Sequence, residues 1–244
     1  TLAFVLPEAV LNVKAHMRIR TILLQRSSVK SLTFLGDMFD GVQCPCILLQ
    51  LIATGKPLST AGMMIEDRTR TYTIAMERTV VPENFSFRMT DEEYRVLEKI
   101  KNSIPVCYLA DHADFALGIV TGNNKKFLSA EKTENSEMVL KGTDICKYHI
   151  NPVKQYLRFE PEQFQQVAPL EIYRAPEKLL YRFISNQLVV AYDDRQMLSL
   201  NSCNIVIPKI EGMQIKYILA ILNSSVSQFV YQKEFHSIKV LRAH

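Results

Sequence analysis

The sequence predicts an incomplete α/β sheet over residues 1–60, followed by a mixed α+β domain over residues 61–244. Three observations carry this reading. The opening runs strand, helix, strand, strand, which is the closing section of an α/β sheet and too small to stand as a domain by itself. Residues 55–62 are polar and turn-rich, which sets a boundary near residue 60. Beyond it, a half-buried strand pattern, a capped helix, a strand pair and a final helical stripe follow one another.

The first element is the apolar run Leu2 to Leu6, stopped by Pro7, as an interior strand requires. A helix is expected from Lys14 to Gln25. Ala15, Ile19, Ile22 and Leu23 would share its apolar face, and Lys14, Arg18 and Arg26 would stay wet. Val29 to Leu35 reads as a strand, Gly36-Asp37 as a turn, and Cys46 to Ala53 as a strand covered on both faces. Thr71 to Val80 alternates Tyr72, Ile74 and Met76 against smaller or polar residues, a half-buried strand. Thr90 and Glu93 form a capping box for a helix that turns Tyr94, Leu97 and Ile100 inward, and Pro105 forbids its continuation. After a polar loop at 130–136, Lys178–Ser185 and Gln187–Asp194 read as a strand pair joined across Asn186, and Ser202 to Pro208 as one more strand. From Gln214 to Phe235 a helical stripe of Ile215, Ile218, Leu222, Val226 and Phe229 is expected to face the core.

Composition narrows the chemistry. The length allows one large domain or two small ones. No run is long enough to span a membrane, and Thr1–Leu6 has neither the basic start nor the cleavage site of a signal peptide. Cys44, Cys46, Cys107, Cys146 and Cys203 are odd in number and show no CxxC spacing. Idle thiols in a reducing cytoplasm are therefore expected, with no metal. The net charge of +4 permits a nucleic-acid surface without demanding one. The strand-like start and the close on "KVLRAH", without a turn or polar tail, read as part of something longer.

The most informative stretch is "FALGIVTGNNKKF", Phe115 to Phe127. Gly118 and Gly122 let backbone approach a ligand closely, Thr121, Asn123 and Asn124 offer hydrogen-bonding groups, and Lys125 and Lys126 offer charge suited to phosphate. A tight hairpin with a solvated tip explains the same composition. Lys141, in the basic turn of "LKGTDICKYHI", and Arg174, in "IYRAPEK", are weaker phosphate candidates that a solvated surface also accounts for. The pair Asp193-Asp194 marks a turn more naturally than a metal site, and His112, among acids with no nucleophile near it in sequence, reads as a surface group.

In that order along the chain, these segments resemble the type II restriction–modification adenine-N6 DNA methyltransferases whose DNA-recognition domain follows the catalytic one. "FALGIVTGNNKKFL" is similar to the family's "GI-x-TG-x-NKAF" segment. "LKGTDICKYHI" is similar to its "L-x-GRDI-x-RY" segment, with Thr143 and Lys147 where arginine is usual. "KLLYRFISNQLVVAYDD" and "YILAILNSSVSQFVY" resemble its later strand pair and its "LNS" helix. "LAFVLPEAVL" resembles the strand and turn after the catalytic motif, "RIRTILL" the helix that follows, and "GDMFDGVQCPCILL" the last methyltransferase motif.

The resemblance implies a fold and a division of labour. Residues 1–60 would be the end of a Rossmann-like methyltransferase sheet, and residues 61–244 a mixed α+β DNA target-recognition domain. Double-stranded DNA would be the partner, held by Thr121, Asn123, Asn124, Lys125, Lys126, Lys141 and Arg174. Phe39 would stack on the target adenine once it leaves the helix, although a core phenylalanine at a strand end is an equal reading. The complete enzyme would use S-adenosylmethionine. This chain has neither the glycine-containing cofactor loop nor an Asn/Asp-Pro-Pro-Tyr motif, since it contains no Pro-Pro pair. The resemblance therefore implies recognition here and methyl transfer in an N-terminal catalytic half, with room for a fused nuclease. A different class of function also fits, a non-catalytic module that associates through its incomplete sheet.

Overall fold

The computed structural model describes residues 1–42, 44–83, 85, 87–103 and 106–234. Pro105 and the closing "KVLRAH" lie outside the described residues. The chain forms two compact units: Thr1–Val106 together with residues 233–234, and Cys107–Gln232.

The first unit is built on one sheet. β1 (Leu2–Pro7), α1 (Met17–Arg26), β2 (Ser27–Asp37), β3 (Pro45–Ala53), β4 (Met64–Glu66) and β5 (Thr71–Thr73) follow in sequence, and the sheet order is β1-β3-β2-β4-β5. β3 lies antiparallel to both β1 and β2, so the two strands joined through α1 run the same way. β4 adds parallel to β2, pairing Met64 with Ser31, and β5 turns back on it. The boundary expected near residue 60 thus falls inside a unit that closes with α2 (Asp91–Lys101). Leu32, Ile47, Met63, Ile65 and Ile74 are fully buried at its centre.

Three local expectations are revised here, each for a physical reason. In α1 it is Arg20 that is buried, while Ile19 and Ile22 are exposed. The Arg20 guanidinium donates to the carbonyls of Val10 at 2.8 Å, Val13 at 2.9 Å and Pro82, which anchors the helix by its polar face. The strand read over Thr71 to Val80 ends at Thr73, and after Ile74 N donates to Met63 O at 2.9 Å, amides further along go to side chains. Ala75 donates to the Asp91 carboxylate at 2.8 Å, Arg78 to the Thr60 hydroxyl at 2.8 Å, and Thr79 to the Tyr94 hydroxyl at 3.1 Å. β1, expected inside a sheet, is exposed along nearly its whole length, with Leu2, Phe4 and Val5 open to solvent. The α2 capping box is present in both directions, Glu93 N to Thr90 Oγ1 at 3.3 Å and Thr90 N to Glu93 Oε2 at 2.9 Å.

The second unit has two small sheets. In chain order it comprises β6 (Ala113–Ala116), α3 (Asn124–Phe127), β7 (Leu128–Ser129), β8 (Ser136–Leu140), β9 (Tyr156–Arg158), α4 (Leu170–Tyr173), β10 (Lys178–Arg182), β11 (Val190–Asp193), β12 (Leu198–Ser199), β13 (Cys203–Pro208), α5 (Ile215–Asn223) and α6 (Ser225–Glu234). One sheet has the order β11-β10-β13-β6, the other β12-β8-β9-β7. Alternation along the first sheet sends Leu180, Ala191 and Ile205 into one core shared with Ile119, Phe127, Leu140 and Leu157. It sends Leu179, Val190 and Val206 to the other face, where Ile218 and Leu219 of α5 cover them. β10 and β11 pair as read, Lys178 opposite Asp193, but 183–189 joins them in a longer loop than a turn at Asn186.

The final helical stripe is two helices. The chain breaks at Ser224, whose backbone is extended at φ −66° and ψ 162°. Val226 beyond the break is exposed. Asn223 closes α5 against the sheet: its carboxamide accepts from Val190 N at 3.2 Å and donates to Val190 O at 2.8 Å, as a neighbouring strand residue would. The Ser224 hydroxyl then accepts from Ser227 N at 3.2 Å and starts α6.

Candidate functional site

The loop from β6 to α3 is held from below by the turn between β12 and β13, residues 200–202. Ile119 N donates to Ser199 O at 2.7 Å, and Asn201 N returns a bond to Ile119 O at 3.1 Å. The approach is closest at Gly118. A Cβ there would lie 2.1 Å from Leu200 O and 2.8 Å from Cys203 O, so only glycine fits. Its amide donates to the Asn204 side chain at 3.1 Å. Gly142, in the basic turn after β8, meets the same turn from another side. A Cβ there would come within 2.5 Å of Ser202 O. Its amide donates to the Ser202 hydroxyl at 2.9 Å, and Arg182 clamps the turn by donating to Gly142 O at 2.8 Å and Ile145 O at 2.7 Å. Two segments singled out by their glycines are thus brought together on one short turn.

Above that turn lies an open cleft of 390 Å³ lined by Asn124, Lys125, Leu128, Lys141, Gln155, Leu200, Asn201 and Ser202. Three of the expected residues, Asn124, Lys125 and Lys141, meet here. Neither lysine has an ion-pair partner among the described residues. Two ammonium groups, carboxamides and a hydroxyl around a space of this size suit a polyanion with hydrogen-bonding edges.

The other expected residues are placed differently. Thr121 is buried, and its hydroxyl donates to Asn124 Oδ1 at 2.6 Å, so it positions Asn124. Asn123 caps α3, accepting from Lys126 N at 3.2 Å. Lys126 is exposed but turned to Gln163, to which its ammonium donates at 2.6 Å. Arg174 ends α4 and binds both oxygens of Glu137 at 2.7 Å, with a further bond to Gln196 O at 3.0 Å. Phe39 belongs to the first unit. It is 59% exposed and lines an open hollow with Asp37, Met38, Asp40, Gly41 and Val42, so the core reading of this ring is excluded.

Sequence reasoning missed Gln155, Asn201 and Ser202, which come from segments without a polar motif of their own. The one hint was the pair of glycines, each of which needs a close backbone neighbour. It also missed a buried ion pair elsewhere in the same unit. Lys178 and Asp193 are both fully buried, with Nζ to Oδ2 at 2.6 Å, and Lys178 also donates to Tyr173 O at 2.6 Å. Burial pushes the Lys178 ammonium down from its ordinary value, against the hydrogen bond and charge of Asp193. Asp193 further accepts from Arg195 N and Met197 N, each at 2.9 Å, so it makes the turn expected of Asp193-Asp194 from inside the core. Among the described residues no group of three His, Cys, Asp or Glu side chains is disposed to hold a metal ion. Nor is any helix among them long and apolar enough to cross a membrane.

Known proteins resemble this chain in sequence and in fold. Residues 137–244 match the family described as the TaqI-like C-terminal specificity domain. A type II methyltransferase, M.VspI of Vibrio sp. (strain 343), is 29% identical over 156 residues, 60% of this chain. The aligned stretch spans 36% of that methyltransferase. Among solved structures, the type IIL restriction–modification enzyme MmeI in complex with DNA aligns with a TM-score of 0.52 at 10% identity, over 91% of this chain and 34% of its own. The ATP-dependent type ISP restriction–modification enzyme LlaBIII bound to DNA aligns with a TM-score of 0.54 at 9% identity, over 95% of this chain and 23% of its own. At such identities these structures speak for the fold.

Proposed function

From the match of residues 137–244 to the TaqI-like C-terminal specificity domain and the likeness to a type II methyltransferase, we propose that the chain recognises double-stranded DNA as the C-terminal part of a site-specific adenine-N6 DNA methyltransferase of a restriction–modification system. The observation that carries the proposal is the convergence of Lys125, Lys141 and Asn124 on one cleft above a glycine-clamped turn. Lysines at the rim neutralise phosphates and fix register, while polar groups on the floor face the bases.

The first unit takes the other part of the work. Within it, residues 1–60 are read as the end of a Rossmann-like methyltransferase sheet, and recognition is assigned to the second unit, Cys107–Gln232. Supporting the first assignment, β1 and β2 run parallel, are linked through α1, and have β3 inserted antiparallel between them. The exposed ring of Phe39 offers a stacking surface that would offset part of the cost of unstacking an adenine. The residues present do not fit S-adenosylmethionine: β1 runs into Pro7 and a 3₁₀ turn at Glu8–Leu11 with no glycine. The methyl donor therefore belongs to a separate catalytic part, and the apolar flank of β1 is where that part would pack. The same flank favours one alternative, a module that associates with other chains without reading DNA.

Selection from a randomised duplex pool, compared at two salt concentrations, tests the proposal. An enriched motif with an invariant adenine is expected, with binding that weakens as salt rises. Lys125→Ala and Lys141→Ala should each flatten the salt slope by about 0.9 for every phosphate left without its lysine. Affinity that ignores salt would refute phosphate gripping. Self-association that persists unchanged in excess DNA would favour the alternative.

A further inference from the structure

The lysines of the cleft explain affinity but not sequence choice, because a phosphate looks the same at every step. Asn201 stands at the tip of the turn between β12 and β13, exposed, with no hydrogen-bond partner for its carboxamide among the described residues. Its backbone, by contrast, lies in a turn whose three residues, 200–202, are all held by backbone hydrogen bonds. Leu200 N donates to Leu140 O at 2.7 Å, Asn201 N to Ile119 O at 3.1 Å, Phe183 N to Ser202 O at 3.0 Å and Cys203 N to Leu200 O at 2.7 Å. Gly118 and Gly142 press on the same turn with no room for a side chain on either. Such a combination, a fixed backbone beneath an uncommitted donor–acceptor group, is what preorganised recognition requires. A carboxamide presents one acceptor and two donors in a plane, which matches the N6–H and N7 edge of adenine in the major groove.

Resting on the DNA-recognition reading above, we infer that Asn201 is a base-reading residue of the specificity domain and that it selects adenine at one position of the site. Lys125 and Lys141 flank it and set the register in which the carboxamide meets that base. Gln155 lines the same cleft. Its carboxamide is likewise uncommitted among the described residues, but it sits on a longer and less constrained side chain, so it is the secondary candidate.

The test uses the full chain and a randomised duplex pool, with Asn201→Ala, Asn201→Asp and Lys125→Ala compared with the parent. Asn201→Ala should bind the unselected pool within about twofold of the parent and lose roughly tenfold discrimination for adenine at a single position. Asn201→Asp, which can only accept, should move the preference at that same position towards cytosine. Lys125→Ala should weaken all sequences alike. Should Asn201→Ala fail to fold by thermal melting, Asn201→Ser carries the same readout. An unchanged motif in the Asn201 variants, with a parent that selects, would overturn this inference and leave the DNA-recognition reading standing. A parent that binds no duplex at low salt would overturn both.

Discussion

In the first unit the irregular chain between β5 and α2 is held by charged side chains, whereas in the second the turn between β12 and β13 is held by the absence of side chains. Arg78, buried, donates to Met89 O at 2.9 Å and pairs with Asp91 at 2.6 Å, while its guanidinium lies 5.0 Å from the centre of the Tyr94 ring. Arg20 does the same service for the loops before and after it. Around residues 200–202, by contrast, backbone meets backbone at Gly118 and Gly142. The difference matters for function. An arginine clamp works through long side chains with several rotatable bonds, so it can adjust to its surroundings. Backbone packing at glycine has no such slack, and it is found under the cleft, where the proposed reading of a base would call for one side-chain orientation.

The sharpest way to break this contrast is Gly118→Ala. The added methyl meets carbonyl oxygens that are themselves hydrogen-bonded, so the turn must move, at a cost of about 3 kcal/mol. The transition of the second unit should fall in a thermal scan while that of the first stays in place; an unmoved second transition would show that the turn is not pinned there.

Next in size is Arg20→Met, which keeps the stem and leaves the carbonyls of Val10, Val13 and Pro82 without their donor. A loss of about 2 kcal/mol, confined to the first unit, is expected. A neutral result in urea melts would mean that water replaces the guanidinium and that the clamp is ornamental.

The smallest effect is also the most diagnostic. Burial alone would raise the Asp91 carboxyl, but the hydrogen bonds from Arg78 and Ala75 and the Arg78 charge outweigh it and hold the group below its ordinary 3.8. Its contribution is therefore complete above that value and is lost as pH falls through the lower folded one. Asp91→Asn should cost about 1 kcal/mol at neutral pH, with the two stability curves converging in acid. Parallel curves at all pH values would place the acid sensitivity elsewhere.

Elements with strong local patterns could be read directly from the sequence. The apolar run of β3, the Thr90–Glu93 box and β13 appear within a residue or so of expectation, and β10 and β11 pair as expected, although each is three residues shorter at the loop between them. What the local pattern could not contain was a partner from far along the chain. The apolar face of α1 was assigned from periodicity, but the carbonyl of Pro82 makes the arginine the buried side. Asn223 looks like an ordinary helix residue until Val190 is placed beside it. The cleft divides the same way. Asn124, Lys125 and Lys141 stood out because they sit beside glycines. Asn201 and Gln155 did not, since nothing in their own segments says that three distant loops meet there.

The Asn223 side chain ties two elements into one event. Val190 N is bonded by a carboxamide that arrives on α5, later in the chain, while Val190 O is shared between that carboxamide and Tyr148 N at 2.8 Å. The helix likewise ends at the residue whose carboxamide reaches the sheet. Neither the last turn of α5 nor the outer half of β11 is finished without the other. During synthesis, this edge of β11 therefore lacks that carboxamide until the chain has grown past Asn223.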